Sequence, residues 1–492
     1  MPEGRYPTDF FHVRKRSVSS KVLTRVAVLM TALLSGTACS TMSSLKDTFF
    51  GGPQAAGEEK RLEGFIGAVV ADEPRAALVG RDILATGGSA ADAAVAVAFA
   101  LSVTLPSRAG LGGGGACLAF NPSRDGPGSG RPEAIVFVPV ASPAAGGDRP
   151  AALPMMARGM FMLHNRYGRQ PFEGLLSVPE QLARFGVTVS RALVRDIAVV
   201  AGPLSQDPNA RAVFAPGGVP LTEGGLLRQP DLGASISMLR TAGVGDLYQG
   251  ILARRLEAAS VLAGGPINLA DLKAALPKVM APVVVQAGVD QVAFLPPPAD
   301  GGLAAAAAFQ VLQNAPADYA AAQSRAIGTA LRWRSGGGDP QAVLASGASG
   351  GAMPALPAST GFTVLDKDGG AVTCALTMDN LFGAGRIAPG TGILLAASPG
   401  AAGLPLLSAG IAWNGRTRGF RAMVSGSGQE GAAVAVAAGI NNALLSKTAM
   451  PQPAPEPGRA NAIACARYLP GKEDSCAWAS DPRETGLAAT GN

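Results

Sequence analysis

The sequence predicts an α+β fold, on three stretches. Thr363-Val364-Leu365 and Ala371 to Thr377 are β-prone, and Asp368-Gly369-Gly370 between them supplies the positive φ a hairpin turn needs. Gly67 to Ala71 reads as a strand that leads into helices over Pro74–Ala85 and Ser89–Val103. The first is closed by Gly87-Gly88, and the second is opened by a Ser89 cap. Met423 to Gly428 repeats the pattern as strand and turn before a helix over Ala432–Leu445. Ala-rich helices of this kind pack against their neighbours at short distance.

Taken from its start, the chain first says where it resides. Arg14, Lys15, Arg16, Lys21 and Arg25 precede an apolar run, Val26–Leu34, and then Ser35-Gly36-Thr37-Ala38-Cys39. A basic region, a short apolar core and small residues make a secretory signal, and the run is well short of the roughly 20 apolar residues that span a bilayer. Small residues before Cys39, followed by Ser40, resemble a bacterial lipoprotein signal with Cys39 as the lipidated residue, although Gly36 stands where a Leu is usual. An ordinary cleaved signal and an uncleaved anchor are the alternatives. All three expect the protein outside the cytoplasm, on the periplasmic side of a membrane, and the lipid reading adds a membrane partner.

Removing residues 1–38, with six Lys/Arg and two Asp/Glu, takes the formal charge from +6 to +2. The basic character is therefore mostly that of the signal, and with aromatics at 5% and no basic stripe no nucleic-acid partner is expected. Residues 40–61 read as a small, polar tether. The globular part begins near Gly64 and has ample length for a large core.

Gly112 to Gly115 lacks the Lys-Ser/Thr of a phosphate loop and precedes a strand, Ala116–Phe120, so it reads as a turn where backbones pass closely. Helices follow at Arg158–Arg166, over the amphipathic Pro171–Gly186, at Asp231–Gly243 and at Leu303–Leu312. Ala345–Ala358 is small and Gly/Ala/Pro-rich, the composition of an exposed linker, and Ser359 sits where it meets the hairpin.

These blocks carry a resemblance. GGSAADAAVAVAFALSVTLPSRAGLGGGGACLAF (87–120), the strand-Pro-Pro-Pro-x-x-Gly-Gly at 292–302, the run from Ser359 and the closing Ala479-Ser480-Asp481-Pro482-Arg483 are similar to the gamma-glutamyltranspeptidase family, in order, over about residues 62–490. The resemblance implies a four-layer αββα sandwich of N-terminal-nucleophile hydrolase type. It implies a large-subunit-like region, 62–358, and a small-subunit-like region, 359–492, associated as fragments after self-cleavage. It also implies an enzyme of gamma-glutamyltransferase or glutathione hydrolase type, acting on gamma-glutamyl or related acyl-amide substrates without a cofactor.

Residue by residue, Ser359 falls at the family's nucleophile, as Ser for Thr, and Gly361 replaces its His. An N-terminal hydroxyl residue uses its own α-amine as base. Thr377 falls where a Thr orients the nucleophile, Asp379 where an Asn contacts the substrate amino group, Ser408 at one of two paired serines, and Gly428 and Gln429 at the oxyanion turn. Val138 stands for the Arg that pairs with the substrate carboxylate, Ala396-Ala397 for an acidic pair, and Glu430 brings an acid near the oxyanion turn. The alternative is therefore a catalytically impaired member serving as an extracytoplasmic binding or structural lipoprotein.

The remaining chemistry is sparse. His12 lies in the signal and His164 in a predicted helix, where it reads as structural. With neither CxxC nor HxxxH, no metal is expected. Hydrolysis by an N-terminal nucleophile suits this composition because it needs no side-chain base. Cys465 and Cys476 flank a turn at Leu469–Asp474, leaving a disulfide or two thiols open, and Cys117 and Cys374 read as buried thiols in apolar strands.

Overall fold

The computed structural model describes residues 64–491 apart from 124, 145, 354–356, 401, 402, 447 and 450–453. The signal with Cys39, His12 and the tether at 40–61 lie outside the described residues. In chain order, the strands that build the core are β1 (Gly67–Ala71), β2 (Gly114–Phe120), β3 (Glu133–Phe137) and β4 (Lys278–Met280). Next come β5 (Val283–Ala287), β6 (Asp290–Phe294), β7 (Pro357–Asp366) and β8 (Ala371–Asn380). The last are β9 (Ser408–Asn414), β10 (Gly419–Ser427), β11 (Arg459–Leu469), β12 (Cys476–Ser480) and β13 (Leu487–Thr490).

They form two antiparallel sheets, one ordered β13-β1-β7-β8-β2-β3-β4 and the other β12-β11-β10-β9-β6-β5. The sheets face each other across Leu118, Val136, Leu365, Ala375, Ile411, Met423 and Ile463. On the outer face of the first lie helices α1 (Pro74–Ala85), α2 (Ala90–Thr104) and α3 (Met156–Tyr167). Helix α4 (Arg191–Ser205) belongs to the same side of the molecule. The second sheet is covered by α5 (Gly301–Asn314) and α7 (Ala432–Ser446), with α6 (Tyr319–Gly336) packed on both helices. Four layers result, because each sheet is apolar on both faces and needs cover on both.

Local chemistry explains the elements nearest the site. Helix α2 opens with a reciprocal cap: Ser89 Oγ accepts from Asp92 N–H at 3.1 Å, and Asp92 Oδ2 accepts from Ser89 N–H at 2.8 Å. All fifteen residues of α2 are buried, which suits its small side chains. The hairpin turn has Gly369 at φ 84, and Asp366 ties it to the start of α2 by accepting from the Gly370 and Ala90 amides at 2.8 and 3.0 Å. A Cβ on Gly113 or Gly115 would collide with the carbonyl of Thr377 or Ala375 on β8, so the glycine run is a close backbone passage. His164 Nε2 donates to the Gln170 carbonyl at 2.7 Å and packs edge-on against Phe172, a scaffold role.

Three expectations are corrected. Cys117 and Cys374 are not thiols but a disulfide: they face each other in the β2–β8 register with Cα atoms 4.1 Å apart. Cys465 and Cys476, likewise opposed in the β11–β12 register, form the second disulfide. The amphipathic segment 171–186 is two helices, Phe172–Leu175 and Ser177–Phe185, because Pro179 has no N–H to bond the Leu175 carbonyl. Ala358 is buried inside β7 and not in an exposed linker: pairing with β8 carries the strand back to Pro357. From Ala345 to Ala352 the chain is largely exposed, as its composition predicts.

Candidate active site

Ser359 lies in β7 opposite Thr377 of β8, and Ala358 lies opposite Asp379, with a bulge between Ala358 and Ser359. The alternation of a strand puts Ser359 and Thr377 on the face toward the second sheet. Both are buried, and Ser359 Oγ has no hydrogen-bond partner. Thr377 Oγ1 donates to the Ala358 carbonyl at 2.6 Å and accepts from Asp379 N–H at 2.8 Å. The carbonyl of the Ala358–Ser359 peptide bond is therefore already polarised by a hydroxyl.

The residues after Ser359 are held by groups the sequence did not single out. Asp72, buried just beyond β1, accepts from Thr360 Oγ1 at 2.9 Å and from Gly361 N–H at 3.0 Å. Asn461 of β11 donates to Asp72 Oδ1 at 2.7 Å and to the Gly361 carbonyl at 2.9 Å, so the start of β7 is clamped from both sheets. Gly361 sits where a side chain has little room: a Cβ there would approach Ser425 Oγ to 2.8 Å.

A cavity of about 240 Å³ opens at this point, lined by Ala358, Ser359, Leu381, Gly428 and Gln429 and walled by Arg108, Asp196, Arg459 and Glu484. Gly428 and Gln429 both have positive φ, 92 and 53. That geometry starts the short turn whose Gly431 N–H returns to the Gly428 carbonyl at 3.0 Å. Glu430 is not among the lining residues, and its carbonyl accepts from Gln323 Nε2 at 3.0 Å.

The charged walls are pairs. Arg108 grips Asp196 of α4 in two parallel bonds, both 2.8 Å, and Ser107 Oγ adds a third to Asp196 at 2.7 Å. Such a fork fixes the plane of the guanidinium. Arg459 Nη1 lies 2.7 Å from Glu456, and its Nε is 3.2 Å from Glu484 without hydrogen-bond alignment.

Other expected residues lie elsewhere. Ser408 is fully buried and donates to the Leu406 carbonyl at 2.9 Å, outside the cavity lining. Val138 is buried between the sheets, and Ala396 and Ala397 are also buried. Asp379 does not line the cavity either. It is 4% exposed, has φ 67, and neither carboxylate oxygen has a partner. Burial without compensation pushes its pKa up to about 8.

Residues 76–335, over half of the chain, match the gamma-glutamyltranspeptidase family model. The chain is 29% identical over 385 residues to the glutathione hydrolase proenzyme of Escherichia coli strain K12, covering 67% of this chain and 65% of that one. It is 26% identical over 447 residues to glutathione hydrolase 3 of Arabidopsis thaliana, covering 79% and 69%. Other relatives, such as glutathione hydrolase 7 of Homo sapiens, are spanned over 43% of their length. Among solved structures, the cephalosporin acylase of Bacillus halodurans superposes with a TM-score of 0.71 over 89% of this chain and 98% of that one, at 18% identity. At that identity the likeness speaks to the fold.

Proposed function

This chain belongs to the gamma-glutamyltranspeptidase family, and from that premise we propose that it is a self-cleaving hydrolase and acyltransferase of gamma-glutamyl or related acyl amides. The fold is the αββα sandwich of N-terminal-nucleophile hydrolases. The nucleophile is Ser359, released as a new N-terminus by scission of the Ala358–Ser359 bond. The carrying observation is the Thr377 hydroxyl on the Ala358 carbonyl beside an unpartnered, buried Ser359 Oγ.

In turnover, the α-amine of Ser359 takes the proton of its own hydroxyl while Oγ attacks the substrate carbonyl. The oxyanion forms against the backbone of Gly428 and Gln429, which line the cavity together with Ser359. The acyl-enzyme then passes to water or to an amine acceptor. Asp379 and Ser408 are not among the residues that line the cavity, and donor binding is assigned to those that are. Arg108, oriented by Asp196, is the wall guanidinium we assign to an anionic donor, since Val138 offers none.

We place the protein outside the cytoplasm. Two disulfides support this, since thiols stay reduced in most cytosols. Anchoring through lipidated Cys39 is part of the same proposal. Among the described residues no helix is long and apolar enough to cross a membrane.

Buried Val138 and the alanines at 396 and 397 favour the second reading, a member that keeps the fold and binds without turnover. Mass analysis of the mature protein beside Ser359→Ala decides between them. Two fragments that meet between Ala358 and Ser359 in the wild type alone, with turnover in a screen of acyl p-nitroanilides, are expected. An uncut chain in both sinks the hydrolase.

A further inference from the structure

Asp379 takes no part in the chemistry described so far, yet its placement is costly. A buried carboxylate without hydrogen bond or counter-ion is strongly disfavoured, and a non-glycine residue in the left-handed region adds strain. Such outliers persist where the surroundings enforce them. Here the enforcing contact is at the cut: Asp379 N–H donates to the Thr377 hydroxyl that in turn donates to the Ala358 carbonyl. Asp379 is also the cross-strand partner of Ala358, while Thr377 is that of Ser359.

The uncut chain has a need that the mature enzyme lacks. Before cleavage the nitrogen of Ser359 is an amide and cannot act as base, and Ser359 Oγ has no acceptor for its proton. We propose that Asp379 takes the hydroxyl proton of Ser359 while the Ala358–Ser359 bond is cut. This rests on the reading that Ser359 is released by self-cleavage.

The steps balance. Ser359 Oγ bonds to the Ala358 carbonyl carbon, its proton moves to the Asp379 carboxylate, and the oxyanion stays on the Thr377 hydroxyl. The C–N bond breaks as Asp379 returns that proton to the departing nitrogen, leaving an ester of Ala358 on Ser359 Oγ. Water adds to this ester and restores the Ser359 hydroxyl. Ala358 ends as a carboxylate, and its proton charges the new α-amine.

Other charged groups around the cut are engaged among themselves. Asp72 holds Thr360, Gly361 and Asn461; Arg108 of the turn after α2 holds Asp196 of α4; Arg459 of β11 lies against Glu456 and Glu484. None of them bonds to Asp379 among the described residues. The protonation of Asp379 therefore follows its own burial.

The test uses the full chain made uncut at about pH 5.5, where Asp379 holds its proton, then shifted to between about pH 6 and about pH 9, with the cut fraction followed by intact mass. The wild-type rate should rise about tenfold per pH unit and level off above the Asp379 pKa of about 8. Asp379→Asn should cut about 10²-fold more slowly and without that step. Asp379→Glu should restore the step with a moved midpoint. An Asp379→Asn chain that cuts as fast, with the wild-type profile, overturns the inference and leaves Ser359 as nucleophile. If Asp379→Asn does not fold, an unmoved midpoint in Asp379→Glu overturns it instead. A wild-type chain that never cuts removes the proposed function itself, and this inference with it.

Discussion

The hydroxyl of Thr377 sits 2.6 Å from the carbonyl oxygen of Ala358, one residue before the candidate nucleophile and on the neighbouring strand. A donor already aimed at the oxygen that becomes an oxyanion costs no reorganisation when the bond is attacked. Thr377→Val keeps the shape and removes the donor, so self-cleavage should slow by roughly 10²–10³-fold. Thr377→Ser should retain most of it. Intact mass against time reads both.

Asp379 also links stability to pH. Its folded pKa, about 8, lies above the unfolded value, which is about 4. Between those values the folded chain holds a proton that the unfolded chain has released. The stabilisation is fully present below about pH 4 and is lost as pH rises through the folded pKa. In an uncut Ser359→Ala background, the melting temperature should fall from acid to alkaline pH. Adding Asp379→Asn should flatten that slope, and thermal denaturation at several pH values measures it.

The Arg108–Asp196 fork is the better buried of the two charged walls of the cavity, with side-chain exposures of 19% and 5%. Asp196→Ala strands the guanidinium and the Ser107 hydroxyl, and the expected loss is about 3–5 kcal/mol in chemical denaturation. An Arg108→Met, Asp196→Leu double variant should recover much of that stability but not turnover of an anionic donor.

Cys117 precedes the proposed cut and Cys374 follows it, 257 residues apart. A cleaved protein should run as one species in non-reducing electrophoresis and as two after reduction. Replacing both by Ala should let the fragments part in denaturant without reductant, and lower stability by about 2–5 kcal/mol.

What could be read in the sequence was what short spacing encodes. Ser89 announces its helix cap, and Asp368-Gly369-Gly370 announces its turn. The glycines at 112–115 declare a close passage, though not that β8 is the strand they let through. Pairings across the sheets left no such mark. Asp72 and Asn461 are 389 residues apart, Arg108 and Asp196 are 88, and neither pair has a spacing that marks it. Ala358 reads as linker by composition because its strand state comes from β8 and not from its own preference. The same register turned two apolar-looking cysteines into a crosslink.

The order of the first sheet bears on when the proposed scission can occur. Its strands alternate in origin: β13 from after the proposed cut, β1 from before, β7 from after except for its first two residues, β8 from after, then β2, β3 and β4 from before. Neither segment owns a continuous sheet, and each alone would present unpaired strand edges. If the chain is cut as proposed, both segments on one polypeptide hold each other at high effective concentration while the sheet closes, and the connecting peptide bond is dispensable after that. On the proposed self-cleavage, residues 359–492 supplied as a separate chain would have to find their sheet partners between molecules, where the uncut chain finds them within one.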